Sequence, residues 1–211
     1  MNEKLATFFG LLLSDGSIYY DKSKRTYCIQ FTSKLDGLRN AFRTLVVECF
    51  GVENFHENRC KNAVSLRFFS VAIAKRLMSL SGISSKRYNK AVCNIPSFIL
   101  KDKQLIAAFL RGFVSGDGSV YANKRYSILR VEIACHYTNL RKQIADCLSL
   151  LEIPCRVTER SVVITSFENC FKFLSDVGFL EESLVSDSSS PKFGIAKNSL
   201  ASLEFPAKLP I

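Results

Sequence analysis

The sequence predicts an α+β protein made of two copies of one αββαββα unit, because a motif and the pattern that follows it both occur twice. Residues 8–19 read FFGLLLSDGSIY and residues 110–121 read LRGFVSGDGSVY, and each apolar run ends in Asp-Gly-Ser. The two copies are offset by 102 residues, from Asp15 to Asp117.

The match continues past the motif without a gap. At the same offset Gln30 aligns with Glu132, and the Leu-Arg pair at 38–39 aligns with the pair at 140–141. A core helix repeated by coincidence would not extend through the following hairpin and helix. We therefore interpret the chain as an internal repeat of two similar halves.

Each copy is predicted to run helix, hairpin, helix, hairpin, helix. The expected segments of the first copy are residues 3–15, 17–33, 35–50, 54–69 and 70–82. We expect glycines to end these helices, with Gly16 in the left-handed conformation that commonly terminates a helix, and with Gly51 and Gly82 at the two later ends.

The second copy repeats this order with a shorter second hairpin over 155–166 and a last helix over about 167–177 that stops at Gly178. The resulting organisation is a first repeat over 1–85, a linker over 86–101, a second repeat over 102–185 and a tail over 186–211.

Composition restricts the class of protein. The chain has 211 residues with 47% hydrophobic content and 17 Phe, enough for one or two cores. Its net charge of +10 favours a polyanionic partner such as nucleic acid. No run approaches the ~18 apolar residues of a membrane span, and the N-terminus lacks signal-peptide features. We expect an intracellular, non-secreted protein with no membrane partner.

Cysteine and histidine do not predict a zinc site. The eight cysteines show no C-x-x-C pair, and only His56 and His136 are present. We expect buried free thiols, with both histidines at the surface or in a groove.

Small residues form a stripe on each repeated helix. Gly10 and Ser14 are four residues apart, as are Gly112 and Gly116. Two such helices can approach until their backbones nearly touch, so these four residues are the predicted interface between the copies. The aspartates at the ends of the two helices would then be neighbours.

At these residues the chain resembles a known family. FFGLLLSDG and LRGFVSGDG look like two copies of the motif of the LAGLIDADG homing endonucleases, and the whole chain resembles their single-chain, two-repeat, intron-encoded members. The sixth motif position is Leu13 in one copy and Ser115 in the other, where the family has aspartate. The eighth position, which carries the family's metal-binding acid, is kept as Asp15 and Asp117.

The resemblance implies two helices packed between two curved antiparallel four-stranded sheets that bind DNA. It also implies a metal-dependent double-strand break with short 3′ overhangs at a long, asymmetric site, with one aspartate serving each strand. Two close carboxylates repel, and they favour uptake of a divalent cation. Mg²⁺ suits Asp15 and Asp117 with the main-chain carbonyls of Ser14 and Gly116, Mn²⁺ is expected to substitute, and Ca²⁺ to bind without supporting cleavage.

Three further polar residues are candidates at the active site. By resemblance, a lysine after the third helix of a repeat lies in the catalytic pocket, and Lys86 has that place, whereas the second copy has Glu182. Gln30 and its counterpart Glu132 are equally consistent with a position near the scissile bond and with ordinary groove-facing strand residues.

DNA contacts are predicted on the strands of each sheet, where strands of seven to ten residues would span ~25–33 Å of major groove. Arg and Lys suit guanine, whereas Asn and Gln suit adenine. The predicted contact residues are Tyr19, Lys22, Lys24, Arg25, Tyr27, Gln30, Arg67, Tyr121, Asn123, Lys124, Arg125, Arg130 and Glu132. About half of the hairpin-tip cations would touch only phosphate.

The partner is predicted to be double-stranded DNA, bound by a monomer that already contains both halves of a pseudo-dimer. Two alternatives use the same scaffold. One is a maturase that binds its own intron RNA, and the other is a DNA-binding regulator without catalysis.

Overall fold

A computed structural model of the chain describes residues 2–83, 88–123 and 128–180, without the side chains of residues 60, 122, 123 and 128. Its helices are α1 (Asn2–Ser14), α2 (Asp36–Phe50), α3 (Val71–Leu80), α4 (Lys103–Asp117), α5 (Thr138–Leu150) and α6 (Phe167–Asp176). Its strands are β1 (Gly16–Asp21), β2 (Thr26–Ser33), β3 (His56–Cys60), β4 (Ala63–Phe69), β5 (Gly118–Asn123), β6 (Ile128–Ala134), β7 (Arg156–Val157) and β8 (Ser161–Thr165).

The strands form two antiparallel four-stranded sheets of the same topology, with strand orders β1-β2-β4-β3 and β5-β6-β8-β7. Ser17 of β1 pairs with Gln30 of β2, and Ser119 of β5 pairs with Glu132 of β6. The predicted α+β fold of two αββαββα copies is confirmed, and the register reproduces the offset seen in the sequence.

The sheets differ in size more than the sequence predicts. β2 has eight residues, which at ~3.3 Å per residue gives ~26 Å, but β7 has only two. The prediction of strands of seven to ten residues holds for β2, β4 and β6 and is wrong for the other strands. β7 is the shortest because the second hairpin of the second copy is short and leaves little chain to pair with β8.

Helices α1 and α4 pack against each other in the centre of the molecule, backbone against backbone. A Cβ atom on Gly10 would lie 2.5 Å from the amide nitrogen of Phe113 and would also overlap the carbonyl oxygen of Phe109. A Cβ atom on Gly112 would overlap the carbonyl of Thr7. Only glycine allows this separation, and the backbones at these positions cannot move apart without opening the interface.

We therefore expect Gly112→Ala to lower the free energy of unfolding by about 2–4 kcal/mol, since the added methyl group has only backbone to displace. The control is Gly51→Ala, at a glycine with φ of 66° and open space around it, which should cost about 1 kcal/mol through backbone strain alone. Urea unfolding measures both. Equal losses in the two variants would contradict the close helix contact.

The glycine after each motif has a different role from the one predicted. Gly51, Gly82 and Gly178 have φ values of 66°, 71° and 63°, as expected for left-handed helix ends. Gly16 instead begins β1, and a Cβ atom there would lie 2.7 Å from the Leu12 carbonyl oxygen. Glycine is required at this position because the strand folds directly back over the last turn of the helix.

The repeated Leu-Arg pair fixes the end of the second strand in each copy. Arg39 donates from Nη1 to the carbonyl oxygen of Ser33 at 2.7 Å, and Arg141 donates from Nη1 to that of Cys135 at 2.7 Å. Arg39 also pairs with Asp36. This shared contact explains why the repeat extends into α2 and α5.

The cysteines for which the structure describes side chains are free thiols, and most are buried. Burial raises the pKa of Cys147 to about 12 and that of Cys93 to about 11. Among the described residues, no helix has the length and apolarity needed to cross a membrane.

Candidate active site and nucleic-acid surface

The ends of α1 and α4 bring the two motif aspartates to one place. A Cβ atom on Gly116 would lie 2.8 Å from Oδ2 of Asp15 and 2.5 Å from Oγ of Ser14. Gly116 itself immediately precedes Asp117 at the end of α4. The absence of a side chain at position 116 therefore lets the carboxylate of one copy lie against the backbone that leads to the carboxylate of the other.

A lysine from the segment between the copies enters this site. Lys90 begins a short 3₁₀ helix (Lys90–Val92) that Asn89 caps, its Oδ1 accepting from the amide of Ala91 at 3.0 Å. Its ammonium group donates a hydrogen bond to the carbonyl oxygen of Ser14. Burial lowers the pKa of Lys90, and the nearby charges of Asp117 and Asp15 oppose that shift.

Lys90 was not predicted from the sequence. The predicted lysine, Lys86, lies outside the described residues, so no geometry bears on it. Both lie in the stretch SSKRYNK after Gly82, and spacing from the third helix alone does not choose between them. The capping signal Asn-Lys-Ala at 89–91 could have indicated a turn that fixes Lys90.

Cys135 lies close enough to Asp117 and Lys90 for both charges to affect its thiol. Burial raises the pKa of this thiol, Asp117 adds to the shift, and Lys90 opposes it. The corresponding residue of the first copy is Ser33, so the two halves of the site differ here.

The donor set fits a hard divalent cation. Among the residues that the structure describes, no group of three or more His, Cys, Asp and Glu side chains is placed to hold a metal. Mg²⁺ does not need such a cage, because it is commonly bound by one or two carboxylates, waters and substrate phosphate. Asp15, Asp117 and the carbonyls of Ser14 and Gly116 would supply oxygen ligands, which are the ligands that Mg²⁺ prefers.

The outer face of the first sheet carries two unpaired polar atoms. Side chains alternate along a strand, so Gln30 and Arg67, which are register partners on β2 and β4, lie on the face opposite Ile29 and Phe68 of the core. Oε1 of Gln30 and Nε of Arg67 are both inaccessible to solvent and lack a hydrogen-bond partner among the described residues. A buried acceptor beside a buried donor is costly unless a ligand satisfies them.

Tyr19 and His56 extend the same face. His56 of β3 is the register partner of Arg67 of β4. Burial raises the pKa of Tyr19 to about 12, and a hydrogen bond to Cys28 adds to the shift. The phenol therefore remains neutral and able to donate near neutral pH.

The turn between β1 and β2 positions the predicted basic tip. Oδ1 of Asp21 accepts from Oγ of Ser23 at 2.6 Å and from the amides of Ser23 at 2.9 Å and Lys24 at 3.2 Å. These bonds, and most of all the one from the Ser23 hydroxyl, lower the pKa of the Asp21 carboxyl. Arg25 has φ of 50°, and Lys22 is exposed. Lys24 turns back so that its ammonium lies 3.8 Å from the ring centroid of Phe69, on the same outer face as Arg67.

Tyr27 lies on the opposite face from the one predicted. It alternates in phase with Ile29 and Phe31, is 8% exposed, and packs against Tyr20 with ring centroids 5.3 Å apart. The prediction of a DNA contact at Tyr27 placed it on the same face as Gln30. The two residues are three positions apart on β2, and because side chains alternate along a strand they lie on opposite faces of the sheet.

The second sheet neutralises part of its charge internally. Arg130 pairs with Glu132 at 2.9 Å and lies over the ring of Tyr121 at 6.0 Å. Glu132 also accepts from Oγ of Ser161 at 2.8 Å. The predicted contacts at Lys124 and Arg125, and the side chain of Asn123, lie outside the described parts of the chain.

Two copies of the motif, two sheets of one topology and a central pair of helices are the arrangement of a two-repeat LAGLIDADG fold. Residues 104–178, most of the second copy, match the protein family described as the LAGLIDADG-like domain. The predicted resemblance to the LAGLIDADG proteins is confirmed, by this family match over the second copy and by the solved structures that share the fold. No curated protein sequence matches the chain.

Solved structures share the fold. Mesophilic variants of the homing endonuclease I-DmoI match at a TM-score of 0.62 and 16% identity, covering 84% of this chain and 96% of theirs. I-DmoI in complex with DNA and Mn matches at 0.61 and 16%, covering 84% and 97%. Full-length DUF199/WhiA from Thermatoga maritima matches at 0.55 and 17%, covering 87% of this chain and 58% of that one. At these identities the likeness is one of fold.

Proposed function

We propose that the chain is a site-specific DNA endonuclease that makes a double-strand break with short 3′ overhangs at a long, asymmetric site and depends on Mg²⁺. The observation that carries this proposal is the convergence of Asp15, Asp117 and Lys90 at the ends of two helices that lie between two sheets. A structural pair of helix ends has no need for two carboxylates close to one buried lysine.

The aspartates would hold the divalent cations, together with the carbonyl of Gly116 and that of Ser14, which also accepts from Lys90. Bound there, the metal would polarise a phosphate oxygen and lower the pKa of an attacking water. Asp15 and Asp117 belong to opposite copies, so each carboxylate faces one strand of a duplex that crosses both sheets. Lys90 places a cation beside both, where negative charge develops on the phosphate.

Solved relatives support this choice of partner and metal. I-DmoI has been crystallised in complex with DNA and Mn, in complex with DNA and Ca, and, as one variant, with its target DNA in the presence of Mg. The oxygen-only donor set described above is compatible with each of these ions. We infer that Mg²⁺ and Mn²⁺ support cleavage and that Ca²⁺ supports binding alone.

Sequence readout is assigned unequally to the two sheets. Gln30 and Arg67 lie side by side on the outer face of the first sheet. A glutamine can contact adenine in a bidentate manner and an arginine can contact guanine in the same way, and each such contact discriminates between bases by about 1–3 kcal/mol. Arg130 is already engaged by Glu132 and Tyr121. The larger share of specificity should therefore come from the first sheet, and the target should lack two-fold symmetry.

This inequality can be measured with two matched arginine variants. Arg67→Ala should weaken binding to the selected target by about 10-fold or more, since it removes a donor and leaves the acceptor on the base without its partner. Arg130→Ala should weaken it less, because the guanidinium of Arg130 is already paired with Glu132 and offers DNA less of its charge. Fluorescence anisotropy in Ca²⁺ gives both affinities. A larger loss in Arg130→Ala would contradict the assignment.

The direct test begins by selecting the DNA sequence that the protein binds, because cleavage can be measured only on that sequence. A library of random 30-base-pair duplexes is passed over the protein in Ca²⁺, and the bound sequences are cloned in a plasmid and incubated with Mg²⁺ or EDTA. A single double-strand cut that requires Mg²⁺ supports the proposal. Tight binding of the selected site with no cut in Mg²⁺ or Mn²⁺ would sink it.

That second outcome would favour a DNA-binding regulator on the same fold, for which the likeness to DUF199/WhiA is the supporting observation. The two functions differ in one readout, since only the nuclease nicks bound DNA. An intron-RNA partner has no support from the described residues or from these relatives.

A further inference from the structure

A cleft lies on the side of the α1–α4 interface away from the linker. It has a volume of about 320 Å³ and is formed by α1, α2, α4 and the end of the described chain. Its lining includes Glu3, Thr7, Ala41, Leu45, Arg111 and Leu180. The cleft spans both copies, so whatever occupies it would contact both.

The equivalent place in the other half of the pseudo-dimer is filled by the linker. There the amide of Ile95 donates to Oε1 of Gln143 on α5 at 2.8 Å. The ring of Phe98 packs against Phe9 of α1, with centroids 6.2 Å apart. The linker thus bridges the first helix of one copy and the second helix of the other.

The repeat offset superimposes the two places. Ala41 has the repeat position of Gln143, and Arg111 has that of Phe9, and both line the cleft. By this pseudo-symmetry the cleft corresponds to the surface that the linker covers. The linker follows the first copy, so the corresponding segment is the tail, which follows the second copy.

That segment carries the linker's pattern. The linker reads CNIPSFI over 93–99, and the tail reads LEFPAKL over 203–209, with the proline at the same place. In the linker the buried residues are Cys93, Ile95, Pro96 and Ile99, and the exposed ones are Asn94 and Ser97. The tail has Leu203, Phe205, Pro206 and Leu209 at the four buried places.

We propose that residues 203–209 bind the cleft between α1, α2 and α4 and so bridge the two copies opposite the linker. The described chain ends at Leu180 in the wall of the cleft, and the intervening 22 residues, 181–202, could span tens of ångströms at about 3.3 Å each. In this arrangement Lys208 corresponds to Phe98 of the linker, and Arg111 corresponds to Phe9, against which Phe98 packs. Lys208 would therefore lie beside Arg111. The cleft wall also carries Lys4, which pairs with Glu48, and Glu3, which is the carboxylate that Lys208 would face.

The inference is tested on the full chain without DNA, so its outcome is independent of the proposed nuclease activity. A photo-crosslinking p-benzoylphenylalanine replaces Phe205, and mass spectrometry maps the products. We expect crosslinks to residues of α2 or α4 that line the cleft. Crosslinks to another surface, or only between two copies of the chain, would overturn the proposal.

A second measurement uses a cleft variant that does not alter the tail. Ala41→Trp fills the cleft, and tryptic cleavage after Lys208 should become at least about 10-fold faster than in the wild type, where docking protects the bond. The control is Ala72→Trp, an exposed position on α3, which should leave the rate unchanged. Equal rates in all three proteins would refute docking.

Discussion

Asp15→Asn and Asp117→Asn are each expected to abolish double-strand cleavage, with single-turnover rates lower by about 10³-fold or more. Each substitution keeps the shape of the side chain but removes the charge that binds a cation. Because the two carboxylates belong to different copies, neither can replace the other.

The control is Asp102→Asn at the other end of α4. Asp102 caps the helix by accepting from the amide of Gln104 at 2.7 Å, and asparagine caps equally well. This variant should cleave like the wild type, and all three should bind the selected DNA in Ca²⁺ and unfold at a similar temperature. Normal cleavage by either motif variant would exclude the paired-aspartate site.

Lys90→Gln is expected to lower the single-turnover cleavage rate by about 10²-fold while leaving DNA affinity nearly unchanged. The reason is that its ammonium is the cation placed beside both aspartates and bonded to the Ser14 carbonyl. Removing one preorganised donor from a catalytic site typically costs this much.

The matched comparison is Lys86→Gln, which changes the lysine that the family resemblance indicated. Rapid-quench kinetics on the selected duplex separates the two variants, and a loss confined to Lys90→Gln is the result expected if Lys90 is the catalytic cation. A large loss at Lys86 with little loss at Lys90 would restore the original assignment. It would also mean that the bond from Lys90 to Ser14 is structural.

Much of the architecture could be predicted from the repeat. An offset of 102 residues aligned Asp15 with Asp117 and Gln30 with Glu132. The observed strand register preserves the second relation, since Gln30 pairs with Ser17 and Glu132 pairs with Ser119. Gly10 and Gly112 indicated a backbone contact because no other residue allows helices to approach so closely. These features depend on residue type and spacing along the chain, which a single sequence displays directly.

Other features depend on which face a side chain takes. Tyr27 and Gln30 are both in an aromatic and polar stretch, yet one lies in the core and the other on the outer face. Gly16 was predicted to be left-handed, but its requirement is the close approach of Leu12. The face that Tyr27 takes and the role of Gly16 do not follow from composition. Each depends on which residues of other turns or strands pack against that position.

The sequence by itself determined the two-copy α+β fold, the central pair of helices and the pair of aspartates at their ends. Only the tertiary structure decided that Lys90 enters the site from the linker and that a cleft mirrors the linker's position. It also decided that Arg130 pairs with a carboxylate, whereas Arg67 has no such partner among the described residues. The physical reason is range: periodicity and turn chemistry are local, whereas these contacts join segments that the chain brings together only when the copies pack.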